Sequence, residues 1–238
     1  MDSDLPEQIL FSETYPLCHI TLSDAKNLAA DKLPSHKAVD LIFGDEQGET
    51  TVTIESSDSR RLNRILKRFK KVFYPYIITK VNDTVEEALV KLLMDHHLTI
   101  ATAESVTGGM IASRLVNVPG VSECLEESFI TYGDQAKIDT LGVKKETIEK
   151  SGVVSERVAS QMVEGLRERT SADICVTTSG YAGPSGDDIG KICYGFFVFD
   201  RLWVNTVVFD GDRNEIRKKA TAHAICELIS SLKSVGKG

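Results

Sequence analysis

No run of apolar residues in this 238-residue chain approaches the thickness of a bilayer, so no membrane-spanning helix and no membrane partner are expected. The opening Met1-Asp2-Ser3-Asp4-Leu5-Pro6 is acidic and lacks the apolar core of a secretory signal, which makes a cytoplasmic location the default. There is no CxxC pair. Cys18, Cys124, Cys175, Cys193 and Cys226 are odd in number and scattered, and they read as reduced, mostly buried thiols. The five histidines form no HExxH, and the neighbours Cys18-His19 and His96-His97 lack ligand spacing, so neither a metal nor a cofactor is expected. An excess of positive charge is missing too. Lys and Arg number 28 against 35 Asp and Glu, a net charge of −7, which argues against non-specific nucleic-acid binding by the chain as a whole. Nucleic acid is therefore not an expected partner. Internal repeats and low-complexity segments are absent.

What is present is the composition of an ordinary soluble globular protein, 42% hydrophobic and 26% charged. Residues 1–82 read as a small α+β module. Val39–Phe43 and Thr51–Glu55 have strand character, and Gly44–Gly48 between them is turn chemistry, which predicts a hairpin. A helix follows from Ser59 to Phe73, with Leu62, Ile65, Leu66, Phe69, Val72 and Phe73 on one face. Its other face carries Arg60, Arg61, Arg64, Lys67, Arg68, Lys70 and Lys71, favoured here as a solvated surface because no aromatic or Gly-rich binding signature accompanies it. Tyr76–Thr79 suggests one more strand.

Residues 83–238 change in texture. Thr84-Val85-Glu86-Glu87 is a capping box before a helix carrying Val85, Leu89, Leu92 and Leu93. Leu98–Thr102 reads as a buried strand, Met110–Val116 as a helix and Ser128–Tyr132 as a short strand. Two short helices are predicted at Gln135–Leu141 and Glu146–Ser151, then a long one capped by Ser155. Asp173–Thr178 is a buried strand leading into the loop Ser179–Pro184. Strands near Ile192–Phe199 and Trp203–Phe209 precede a final helix capped by Asp212-Arg213-Asn214-Glu215. Alternation of strands and helices predicts a three-layer α/β/α domain. The short link between the last two strands makes the sheet mixed.

Ala103-Glu104-Ser105-Val106-Thr107-Gly108-Gly109 sits where a strand hands over to a helix, a place where free backbone N–H groups and a helix dipole favour an anion or a developing oxyanion. Val118-Pro119-Gly120-Val121-Ser122, Tyr132 with Lys137, Ser179-Gly180 with Ala182-Gly183-Pro184, and Gly211-Asp212-Arg213 come after it in that order. Together these motifs resemble the CinA C-terminal domain family, the nicotinamide-mononucleotide amidohydrolases, over roughly residues 83–233. The resemblance implies hydrolysis of the carboxamide of nicotinamide mononucleotide to nicotinate mononucleotide and ammonia, within pyridine-nucleotide salvage, and a tendency to form homo-oligomers. The first module is similar to the linker domain of full-length CinA proteins, whose larger N-terminal domain has no counterpart in this sequence. The sequence departs from the family at Val106, where Cys is usual, at Asp134, where Asn is usual, and in a shorter loop after Pro184.

Amide hydrolysis needs a nucleophile, a base, an acid for the departing ammonia and donors for the oxyanion. With no Ser-His-Asp set and no metal motif, a serine activated by a lysine of lowered pKa remains. Lys137 is the candidate base, one turn beyond Tyr132. By resemblance the essential serines match Ser105 and Ser122. Ser122 with Lys137 is the favoured reacting pair, with Ser105 as a polar group in the same site. Taken alone, Ser105 reads equally as a helix cap, Ser122 as a turn serine, Lys137 as a surface lysine and Tyr132 as a packing residue. For substrate binding, Thr107, Gly108 and Gly109 offer N–H groups to the phosphate, and Arg213 offers a bidentate guanidinium. Ser179 and Gly180 lie at a strand end where α/β sheets bind ligands. Two other readings stand beside this one: a catalytically inactive nucleotide-binding or interaction protein, and an amidase for a related carboxamide.

Overall fold

The computed structural model describes residues 10–35, 38–186 and 188–235. The chain divides after Thr84 into two compact units.

In the first unit β1 (Phe11–Leu17), β2 (Asp40–Glu46) and β3 (Glu49–Ser56) form an antiparallel sheet in the order β1-β3-β2. The helices are α1 (Leu22–Lys32) and α2 (Ser59–Val72). Asp58 caps α2 by accepting from the N–H groups of Arg60 and Arg61. Leu62, Ile65, Leu66 and Phe69 fall at helical spacing and close over Tyr15, Leu17, Val52 and Ile54 of the sheet. The predicted hairpin forms, but with a tighter turn. Only Gln47 and Gly48 lie outside the strands, both with positive φ (53° and 93°), the geometry that matches strand twist in a two-residue loop. Gly44, Asp45 and Glu46 belong to β2. Tyr76–Thr79 is not a strand. Its backbone turns back on α2, with the Tyr76 and Ile77 N–H groups donating to the Phe73 carbonyl. The sequence carries no clear signal for β1, which contains Pro16 and is an edge strand, the setting in which proline costs no ladder bond.

The second unit contains α3 (Val85–Asp95), β4 (Ile100–Glu104), α4 (Met110–Val116), a 3₁₀ turn (Val121–Glu123), β5 (Leu125–Ile130), α5 (Asp134–Leu141), α6 (Lys145–Ser151) and α7 (Glu156–Thr170). β6 (Ile174–Gly180), β7 (Lys191–Val198), β8 (Arg201–Val208) and α8 (Arg213–Val235) complete it. The five strands run in the order β5-β4-β6-β7-β8, with β5, β4 and β6 parallel and β7 and β8 antiparallel. This is the expected mixed sheet in an α/β/α sandwich. Helix α7 buries Val158, Ala159, Met162, Val163 and Leu166 and packs on the sheet with α5 and α6 beside it. Helices α3, α4 and α8 pack together on the other side. The α8 cap is as read from the sequence: Asp212 accepts from the N–H groups of Asn214 and Glu215, and Glu215 accepts from the Asp212 N–H. Cys124, Cys175 and Cys193 are buried free thiols, as read from the sequence. No helix among the described residues is long and apolar enough to cross a membrane.

The strand order positions the site. From β4 the chain crosses to β5 on one side and later returns to β6 on the other, so the connections leave β4 in opposite directions. In parallel α/β sheets such a switch point opens a crevice at the carboxyl ends of the strands. Here those ends deliver Ser105, Tyr132 and Ser179-Gly180 to one place.

Candidate active site

Ser105 follows β4 directly, and its N–H donates to the Thr178 carbonyl of β6 at 3.0 Å. The turn behind it uses Gly108 and Gly109 with φ of 61° and 91°, a conformation that disfavours side chains. Glu104 fixes this turn. Its fully buried carboxylate accepts from the N–H groups of Gly109 (3.0 Å), Ile111 (3.1 Å) and Ala112 (2.9 Å). The carboxylate thus satisfies the first turn of α4 and complements its dipole. From α8, the Arg217 guanidinium donates to the carbonyls of Val106 (3.1 Å) and Thr107 (2.9 Å). Thr107 is fully buried and shares a 2.8 Å hydrogen bond with Thr178. The expected phosphate role is corrected for Gly108 and Gly109: the Gly109 N–H is taken by Glu104 and the Gly108 N–H by the Ser105 carbonyl, while the Thr107 hydroxyl is held by Thr178. These residues build the turn.

Lys137 projects from α5 and is only 1% exposed. Its Nζ lies 3.1 Å from the Oγ of Ser105, 3.0 Å from the Thr131 carbonyl and 3.1 Å from the Tyr132 carbonyl. Burial pushes the pKa of this amine below the usual lysine range, and the nearby Asp134 carboxylate opposes part of that shift. A neutral amine has two N–H groups and one lone pair. In the structure Nζ donates to the Ser105 Oγ, and the Ser105 hydroxyl donates to the Tyr132 carbonyl at 3.5 Å. Once the amine is neutral, the two carbonyls can accept both its N–H groups and the hydroxyl can turn to its lone pair.

Ser122 does not share this place. It is exposed in the 3₁₀ turn before β5, while Lys137 comes after β5 ends. Six residues of strand separate the two positions along the sheet, about 20 Å at strand rise. The favoured pair of the sequence reading is thus corrected, and Ser105 is the serine that meets Lys137.

Ser105, Tyr132, Asp134, Lys137, Ser179 and Arg213 are among the residues that line one cavity of about 180 Å³. Gly180 and Val106 line it too. Ser179 belongs to β6 rather than to a loop, and its hydroxyl donates to the Val153 carbonyl at 2.9 Å. At the rim, Arg213 donates to the Gly183 carbonyl (2.6 Å) and to the Tyr132 hydroxyl (3.0 Å). Of the short loop after Pro184, Asp187 lies outside the described residues. A wider depression of about 410 Å³ lies at the opposite end of β6, beside Asp173 and the β7–β8 turn, but it brings no buried base to a hydroxyl. Sequence reasoning missed Glu104 and Arg217. The signal for Glu104 was an acid closing an apolar strand just before a Gly-Gly helix start; Arg217, more than a hundred residues downstream, left none.

The CinA C-terminal domain model matches residues 82–232. A protein of Finegoldia magna, provisionally named a competence-damage inducible protein, is 40% identical over 181 residues, covering 74% of this chain and 44% of its own. A Clostridium botulinum protein with the same provisional name is 34% identical over 239 residues, covering 96% of this chain and 58% of its own. The chain thus spans about half the length of these curated relatives. Among solved structures, a competence-damaged protein (CinA) superfamily member from Escherichia coli aligns with a TM-score of 0.60 at 30% identity, over 62% of this chain and 88% of that one. A competence or damage-inducible protein from Enterobacter asburiae gives 0.60 at 33%, over 63% and 99%. The match to the family's model over most of the second unit, together with these structural relatives, places this chain in the CinA C-terminal domain family.

Proposed function

We propose that this chain is an amidohydrolase that converts nicotinamide mononucleotide to nicotinate mononucleotide and ammonia by a serine–lysine mechanism. The observation that carries the reading is the contact between the buried Lys137 amine and the Ser105 hydroxyl at the wall of a cavity. Neutral Lys137 takes the hydroxyl proton as Ser105 Oγ attacks the carboxamide carbon. The tetrahedral intermediate collapses as the Lys137 ammonium returns that proton to the departing nitrogen, which leaves as ammonia. A seryl ester remains. Water then attacks it, with Lys137 again accepting a proton, and the carboxylate product and free Ser105 are released.

The cavity is smaller than the roughly 300–1,000 Å³ pockets that enclose drug-sized ligands, so it accommodates the ring and its carboxamide while the ribose and phosphate extend to the rim. There Arg213, steadied by Gly183 and Tyr132, is placed to receive a phosphate. Ser179 Oγ retains acceptor capacity for an amide N–H. The same small volume favours, as a second reading, an amidase for a related, smaller carboxamide. The first unit is read as the counterpart of the linker of longer family members, and self-association in a cytoplasmic salvage role follows the family resemblance.

The test is ammonia release from the mononucleotide, its riboside and free nicotinamide, with mass spectrometry of quenched protein for an acyl adduct on Ser105. Release from the mononucleotide with transient labelling of Ser105 is expected. Tight binding without turnover under varied pH would sink the enzyme reading.

A further inference from the structure

The net charge of −7 conceals a segregation that the fold exposes. Helix α2 carries seven basic residues and no acidic one in 14 residues. Its apolar face is consumed by the core of the first unit, so the basic residues all face solvent. Arg60, Arg64, Lys67 and Lys71, at spacings of four, three and four, form one stripe along the helix. Arg68 lies alongside it, its Nε donating to the Lys32 carbonyl. Arg61 pairs with Asp58 at 3.1 Å and Lys70 with Glu13 at 3.4 Å. Among the described residues no carboxylate pairs with Arg60, Arg64, Lys67, Arg68 or Lys71. The aromatic signature missing from the helix sequence lies just beyond its end: Tyr74 is 72% exposed, two residues after α2.

We propose that this face of α2, with Tyr74, is a docking surface for single-stranded nucleic acid. The stripe from Arg60 to Lys71 covers about 16 Å at helical rise. That is the axial rise of roughly five nucleotides of one strand at 3.4 Å each, one phosphate for each of the five unpaired cations. Helix α2 itself exposes no large apolar side chain, and Tyr74 is a single ring beside it, whereas protein–protein interfaces are centred on clusters of aromatic and apolar anchors in a desolvated core. A uniformly cationic stripe ending on one exposed aromatic ring is instead the pairing that single strands use: phosphates on the charges, a base on the ring. The inference is independent of the amidohydrolase reading.

Fluorescence anisotropy with labelled mixed-sequence oligonucleotides, single-stranded and duplex, tests it on the full chain. Five phosphate contacts on a single strand predict a log–log salt slope near about −3.5, hence a loss of roughly 100-fold in affinity between about 50 and 200 mM salt. The double variant Arg64→Gln/Lys67→Gln, checked for fold by circular dichroism, reduces the slope to about −2. Tyr74→Ala weakens single-strand binding about 5-fold or more and leaves duplex binding unchanged. No single-strand binding at the lower salt, or a slope unaltered by the double variant, overturns the proposal. Poly-glutamate binding as tightly as the oligonucleotide, with Tyr74→Ala silent, assigns the face to an acidic protein and overturns it as well.

Discussion

The amine of Lys137 and the hydroxyl of Ser105, 32 residues apart in sequence, meet at 3.1 Å with the lysine nearly sealed from water. Burial lowers the amine's pKa, and two carbonyls absorb the N–H groups that a neutral amine would carry. This is the setting that the proposed base for the hydroxyl beside it requires.

Removing either member of the pair is expected to abolish turnover. Ser105→Ala and Lys137→Ala should each lower kcat by at least about 10³-fold, and the double variant should lose little more, because groups acting as one unit are not additive. Ser122→Ala should retain kcat within a factor of about 3, as expected of an exposed turn residue. Steady-state ammonia release checks all four variants. Equal loss in Ser122→Ala would overturn the assignment of Ser105.

The rate should rise with pH through the lowered pKa of Lys137, because only the neutral amine accepts the Ser105 proton. Asp134 lines the same cavity and acts against the lowering. Asp134→Asn should therefore move the acid limb of kcat to lower pH while preserving its shape. A limb that stays in place, or moves upward, would show that Lys137 does not govern it.

Glu104 predicts a stability effect. Glu104→Gln keeps the volume but replaces a charged acceptor of three backbone N–H groups with a neutral amide. The expected cost is about 2–3 kcal/mol in urea unfolding of the second unit, together with a fall in kcat as the Ser105 turn loosens. A variant of unchanged stability would show that water substitutes for the carboxylate.

Arg213→Ala should raise KM for the mononucleotide far more than it lowers kcat. Loss of a charged hydrogen-bond pair of about 1.5–3 kcal/mol corresponds to roughly 10–100-fold in kcat/KM. The riboside, which lacks the phosphate, should be affected little. Equal effects on both substrates would place the Arg213 role away from the phosphate.

Much of the fold was legible because periodicity and caps reflect local physics. The spacing of Leu62, Ile65, Leu66 and Phe69 and the Asp212–Glu215 capping box were read directly and are found as read. The failures also have physical causes. Tyr76–Thr79 looks like a strand, but it forms no ladder: the Tyr76 and Ile77 N–H groups donate to the Phe73 carbonyl at the end of α2, and the Tyr76 carbonyl accepts a single bond from the Cys18 N–H just beyond β1. The Gly108-Gly109 amides looked free because the acid that claims one of them stands on the preceding strand, where alternation alone gives no reason to turn it inward.

The sequence by itself determined which residue types the proposed chemistry draws on: a serine, a lysine and an arginine in motifs that belong to one family. Only the tertiary structure decided which serine the lysine meets. Parallel strands deliver the residues after them to one end of the sheet and hold the residues before them at the other, so Ser105 and Lys137 converge while Ser122 is left at the far end. Tertiary packing also sealed Lys137 from water, and that burial, not any neighbour in sequence, lowers its affinity for the proton.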